Sequence, residues 1–143
     1  MRNSASEATR WFKQALNDYQ FVQWLGEEAQ FPDKGCFISQ QAGEKALKAC
    51  LYAMGKRVVL GHALSEVIQE LKEADGRFLD LVDEAKKLDR FYIPTRYPNG
   101  LPGGTPYESY TESDLGEAEG DLSKIIRICR EFLEERGYSF PEG

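Results

Sequence analysis

Apolar residues recur along this chain at intervals of three and four, the spacing of one face of an α-helix. From Ala8, the positions Trp11, Phe12, Ala15, Leu16, Tyr19, Val22 and Leu25 keep that period. They predict a first helix with Ser6 as N-cap and Glu7 in its first turn. The pattern fades at Gly26, and Pro32-Asp33 marks the next start. A second helix, from about Gly35 to Met54, is apolar around most of its circumference, which places it in the middle of a bundle. Gly55 stands just past its end. A third helix carries Ala63, Leu64, Val67, Ile68 and Leu71 on one face. A fourth, from about Phe78 to Asp89, is expected to turn Leu79, Val82, Ala85 and Leu88 inward. The last opens on Thr111-Glu112-Ser113-Asp114, a capping box with Asp in the fourth place, and is regular at Leu115, Ala118, Leu122, Ile125, Ile126, Cys129, Phe132 and Leu133.

The expected fold is therefore all-α, an antiparallel up-and-down bundle of about five helices. It fills one domain over residues 1–143, with its core at about 5–135. The tail from Gly137 is expected to fray, with Tyr138 and Phe140 as residues that could dock on the body.

Two features depart from simple bundle patterning. The first is a polar stripe on the apolar second helix: Gln41, Glu44, Lys45 and Lys48 occupy i, i+3, i+4 and i+7. It reads either as a solvent-facing strip with a weak Glu44–Lys48 ion pair or as a polar face turned into a groove or subunit contact. The second is the stretch Leu88–Pro106, which holds four of the six prolines together with Phe91, Tyr92, Tyr97, Arg90 and Arg96. The residue before each proline is pushed out of the α region, so this loop is expected to run extended. Lys86, Lys87 and Arg90 have an adequate explanation as cations at a helix C-terminus. A loop this long in a compact domain is usually functional or disordered.

Charge and composition narrow the chemistry. A net charge of −6 argues against a protein that coats nucleic acid through its phosphates. No apolar run approaches the ~20 residues that span a bilayer, and no basic-then-apolar leader is visible, so a cytoplasmic location is expected. Cys36 and Cys50 would lie ~21 Å apart along one helix and cannot bridge, so all three cysteines read as buried thiols. No phosphate-binding GxxxxGK[ST] loop and no metal-spaced ligand set occurs; no cofactor is expected and no catalytic residue is assigned. His62 is the only histidine, and its place just before a helix suggests capping.

Three segments together resemble the HEPN family (higher eukaryotes and prokaryotes nucleotide-binding domain). They are Cys36 to Lys48 with its QQAGEKALK core, Gly61-His62-Ala63-Leu64, and Leu88 to Pro98 with YIPTRYP at its centre. The match is to the small stand-alone prokaryotic type and is similar to the C-terminal HEPN domain of sacsin. The resemblance implies a homodimer with a groove near the dimer contact, a nucleotide ligand, and pairing with a minimal nucleotidyltransferase in toxin–antitoxin modules. On that basis Lys45 and Lys48 would face phosphates, with Gln41 on the same stripe. Arg96 would add a bidentate contact, and Tyr92 or Tyr97 would stack on a base. Many members are ribonucleases carrying Arg-x4–6-His near the last helices. Here only Arg57 and His62 meet that spacing, between the second and third helices, so non-catalytic binding is the leading expectation. A pure interaction module and a metal-independent ribonuclease are the alternatives.

Overall fold

The computed structural model describes residues 3–57, 59 and 61–141. Val58 and Leu60, inside the Arg57–His62 spacing, lie outside the described residues, as do the first two and last two positions of the expected domain. The described residues form six α-helices: α1 Ser4–Glu28, α2 Pro32–Ala53, α3 Leu64–Ala74, α4 Val82–Asp89, α5 Pro106–Ser109 and α6 Glu112–Glu135. Short 3-10 segments occupy Gly76–Leu81 and Pro98–Gly100, and no strand occurs among the described residues.

Helix α2 is the axis of the bundle. It buries fifteen of its twenty-two residues and packs against each of the other helices. The long helices α1 and α6 flank it, and Phe12, Leu47, Leu51, Ile125, Cys129 and Phe132 meet in one core. The regular positions read from the last helix are all buried. Its capping box is complete: Thr111 Oγ1 accepts from the Asp114 N–H, and Asp114 accepts from the Thr111 N–H.

Several boundaries differ from the sequence reading. Helix α1 starts a turn early because the Asn3 carboxamide, not Ser6, is the cap, accepting from the Ser6 N–H at 2.8 Å. It continues through Gly26 and ends with Ala29 in the left-handed region at φ 53°. There the N–H groups of Ala29 and Gln30 return to the carbonyls of Gly26 and Leu25, the double bond of a Schellman stop. Gly55 and Gly137, at φ 95° and 92°, make the same stop after α2 and α6, where no side chain opposes the conformation. The fourth helix divides into a 3-10 segment and α4. Three residues per turn align Phe78 with Leu81, both fully buried, and leave Leu79 54% exposed, against the expected inward Leu79. The tail docks: Phe140 is buried with its ring 4.7 Å from Phe12, and Arg130 donates to the Phe140 carbonyl.

Candidate functional site

The polar residues of α2 are arranged around what they hold. Gln40, Glu44 and Lys48 lie four apart, hence on one face, and all three are buried. Gln40 Nε2 donates to the His62 carbonyl at 2.9 Å. Lys48 Nζ donates to Glu44 Oε2 at 2.8 Å and to the Gly61 carbonyl, with the Trp11 ring 5.5 Å away. The Glu44–Lys48 pair expected from spacing therefore exists, but it is interior rather than on a solvent strip. Its role is to fix the segment that leads into α3.

The other two stripe residues lie at the edge of this face. Gln41 donates to Gln40 Oε1 at 2.6 Å, and Lys45 donates to Asp18 on α1 at 2.6 Å. Beyond Lys45 opens a broad groove of about 670 Å³, with Trp11, Arg10 and Lys13 on its α1 wall.

The proline-rich loop is turned, not extended. Phe91 N–H donates to the Leu88 carbonyl at 3.0 Å, and the N–H groups of Arg96 and Tyr97 both return to Ile93. Thr95 is buried, its hydroxyl on the Phe91 carbonyl. Tyr97, Leu101 and Thr105 do adopt the extended conformation that a following proline demands. Pro98 and Pro106, however, each open a short helix, where a missing N–H costs nothing. The turn folds Arg96 back: its Nε donates to the Tyr92 carbonyl at 2.8 Å. Its guanidinium carbon sits 4.5 Å from the Tyr92 ring centroid, 4.8 Å from Phe37 and 5.1 Å from Tyr97. No carboxylate among the described residues pairs with it. Tyr97 is half exposed and Tyr92 partly covered.

His62 joins the two halves. Its ring stacks on Tyr92, with centroids 5.2 Å apart and planes 18° apart, and its Nδ1 is 3.4 Å from Glu44 Oε2. The expected capping role belongs instead to Asp89, which accepts from the Leu64 and Ser65 N–H groups and the Ser65 hydroxyl at the start of α3. A carboxylate reaching from α4 satisfies these donors more strongly than a neighbouring imidazole could. The stripe and the loop therefore do meet, through Glu44, His62, Tyr92, Arg96 and Phe37. Gln41 and Lys45 stand at the side, Lys48 underneath. Phe37, Gln40 and His62 were not among the expected binding residues. For Phe37 and Gln40 the one signal is that 37, 40, 44 and 48 share a helix face; for His62 it is its place in the Gly61-His62-Ala63-Leu64 segment.

Other chemistry is silent. Arg57 is exposed and pairs with no described residue, so the bare Arg57–His62 spacing does not form a paired unit. Burial, then the charges of Asp114 and Asp33, pushes the Cys36 thiol up to about 12, and burial also raises Cys50, so neither supplies a thiolate. Among the described residues no group of His, Cys, Asp and Glu is disposed to hold a metal ion.

Comparison with known proteins gives the family and the fold. A family model described as the HEPN domain matches residues 8–136. The Methanocaldococcus jannaschii protein named "Putative toxin MJ1304" is 30% identical over 137 residues, covering 90% of each chain. The crystal structure of TT1696 from Thermus thermophilus superposes with a TM-score of 0.80 at 35% identity, over 87% of this chain and 97% of that one. ST0689, described as an archaeal HEPN homologue, gives 0.70 at 31% identity, over 92% and 98%. An HEPN domain protein of Thermotoga maritima, tm0613, gives 0.69 at 29% identity, over 87% and 98%.

Proposed function

The chain belongs to the HEPN domain family, and from that premise we propose that it is a cytoplasmic, dimeric and non-catalytic member that binds a nucleotide where α2 meets the loop after α4. The observation that carries this reading is the Arg96 guanidinium, held among three aromatic rings with no carboxylate of its own. Arg10, Arg77, Arg127 and Arg130 each pair with an acid; Arg57, Arg90 and Arg136 do not, but among the described residues none of these is held by three rings. With Nε spent on the Tyr92 carbonyl, the two terminal nitrogens remain as a planar fork, the shape that grips a phosphate bidentately. The rings displace water from around the cation, which strengthens its attraction for an anion. Tyr97 offers a face for a base, with Tyr92 behind it.

The stripe takes unequal parts. Gln41 flanks the site, and Lys45 reaches a phosphate only by leaving Asp18. Lys48 acts from below by holding Gly61 in place. Similarity to a protein named as a toxin supports membership of a toxin–antitoxin-type module; the minimal nucleotidyltransferase partner enters this proposal from the family resemblance alone.

Calorimetric titration with ATP and GTP tests the binding claim. Saturable heat is expected from the wild-type chain, with affinity lowered at least tenfold in Arg96→Ala, roughly the worth of one charge-assisted contact. No heat at millimolar nucleotide, or an Arg96→Ala titration that matches wild type, overturns it. Light scattering on Tyr97→Ala provides the control: loss of a dimer on that substitution would make the loop a subunit interface instead.

A further inference from the structure

We propose that the outer face of α1 is a self-recognition seam, on which a second copy of this chain lays its own α1 antiparallel about a two-fold axis. The pairing rests on the dimeric reading above and goes beyond it by naming the surface and the alignment.

The seam lies in the spacing of α1. Arg10, Gln14, Asn17, Phe21, Trp24 and Glu28 follow one another at intervals of four and three, the heptad spacing that presents one stripe of a helix to a partner helix. All six are exposed, while Ala8, Phe12, Ala15, Val22 and Leu25 on the opposite face are buried against the bundle. A stripe meant only for water has no need of large aromatic rings. Yet Phe21 and Trp24 stand 45% and 52% exposed within it, stacked with centroids 6.4 Å apart.

Charge decides the occupant and its direction. The outer face carries Arg10 and Lys13 in its first half, and Glu27 and Glu28 at its end. Asp18, between them, is spent on Lys45. A parallel copy would set like charges side by side, whereas an antiparallel copy sets each end against its complement. With the axis between Asn17 and Phe21, Arg10 meets the partner's Glu28, Gln14 the partner's Trp24, and Asn17 the partner's Phe21. The same contacts recur beyond the axis, as an isologous interface requires.

This register also gives the indole a place. Gln14 lies on the wall of the groove of about 670 Å³ lined by Trp11, Arg10, Lys13 and Lys45, so the partner's Trp24 enters a recess of one ring and three cations. Gln14 and Asn17 are polar seam positions, which fix register at a cost in stability. The Arg10 side chain is 51% exposed, and Glu7 keeps the Trp11 indole N–H when Arg10 turns to the partner. No seam residue belongs to the Arg96 site.

Sedimentation equilibrium on the full chain tests the pairing with Trp24→Ala, Arg10→Glu, Glu28→Arg and the double variant Arg10→Glu/Glu28→Arg. Each single reversal sets like charges together at both ends of the seam, and the double variant restores opposite charges there. The expected result is a wild-type dimer whose dissociation constant rises about tenfold or more in Trp24→Ala and in each single reversal, and returns to within about threefold in the double variant. Glu28→Arg places a cation at the C-terminus of α1, where the helix dipole favours it, so weaker pairing there is not a loss of helix. An unchanged far-ultraviolet circular dichroism spectrum checks the fold of each variant. A wild-type dimer unmoved by Trp24→Ala and by both reversals overturns the seam and leaves the dimeric reading standing. Reversals that weaken the dimer without rescue in the double variant overturn the antiparallel alignment. A wild-type chain that sediments as a monomer at every loading concentration overturns both.

Discussion

Lys48 shows how much a residue's role depends on what faces it. Buried beside Glu44 and the Gly61 carbonyl, it cannot be removed without leaving a carboxylate uncompensated in the core. We expect Lys48→Ala to lose about 3–5 kcal/mol in urea unfolding, and the double variant Glu44→Gln/Lys48→Met to lose clearly less, because an uncharged replacement of the whole pair leaves no buried charge behind. A surface pair would give about 0.5 kcal/mol or less for either change. Sequence spacing placed the two residues together, since i and i+4 always share a helix face. It could not tell whether that face met water or another segment. The Arg96 environment was equally hidden: Phe37 and Tyr92 are far apart in the chain, and only the fold brings them to one guanidinium. Asp121 differs again. Burial raises its carboxyl, against the pull of Lys87, while Lys87 near the surface is itself raised by Asp121. We take burial as decisive for Asp121, whose side chain is 11% exposed. An acid raised in the folded state contributes stability at low pH that is lost as pH climbs through its folded value. Asp121→Asn is therefore expected to be neutral or stabilising at pH 7, with the difference from wild type shrinking below the ordinary aspartate range. A large loss at pH 7 would show that the Lys87 pair dominates.

At the scale of elements, the legible starts were those set by local chemistry, while others, such as the Asn3 cap of α1, were missed. Thr111 and Asp114 announced the start of α6 because their chemistry is local, and Pro32 announced α2 for the same reason. What escaped was any feature set by distant residues or by a change of helical period. Asp89 caps α3 from twenty-five positions away, and the 3-10 turn at Gly76–Leu81 rotates Leu79 out to solvent. The turn between α1 and α2 carries a further cost. Ala29 and Phe31 both sit in the left-handed region, at φ 53° and 48°, which disfavours a residue with a Cβ by about 1–2 kcal/mol. Ala29→Gly keeps the Schellman bonds and relieves that strain, offset in part by a more flexible unfolded chain. We expect it to add about 0.5–1 kcal/mol and raise Tm by a few degrees on thermal unfolding. A lowered Tm would mean that the Ala29 methyl packs usefully.

Across the whole molecule, one central helix surrounded by the rest was readable from its nearly all-round apolar pattern. That architecture also creates the site. Because α2 touches every other helix, its few polar residues become the struts for the connections that cross it, first at residues 61–62 and then at 91–97. The family could be identified from the same segments, whereas the ligand could not, since a motif records which residues are present and not which of their atoms remain unpaired. No helix among the described residues is long and apolar enough to cross a membrane. The excess acid of the chain is spread over the outer helices, so an anion would be held by local geometry rather than by overall field. The most direct test is a crystal structure of the chain grown with AMP. The account predicts a phosphate within hydrogen-bond distance of the terminal nitrogens of Arg96, with the base against Tyr97. A nucleotide seated elsewhere, for example in the groove beside Trp11 and Lys45, or an Arg96 covered by a second copy of the chain, would contradict it.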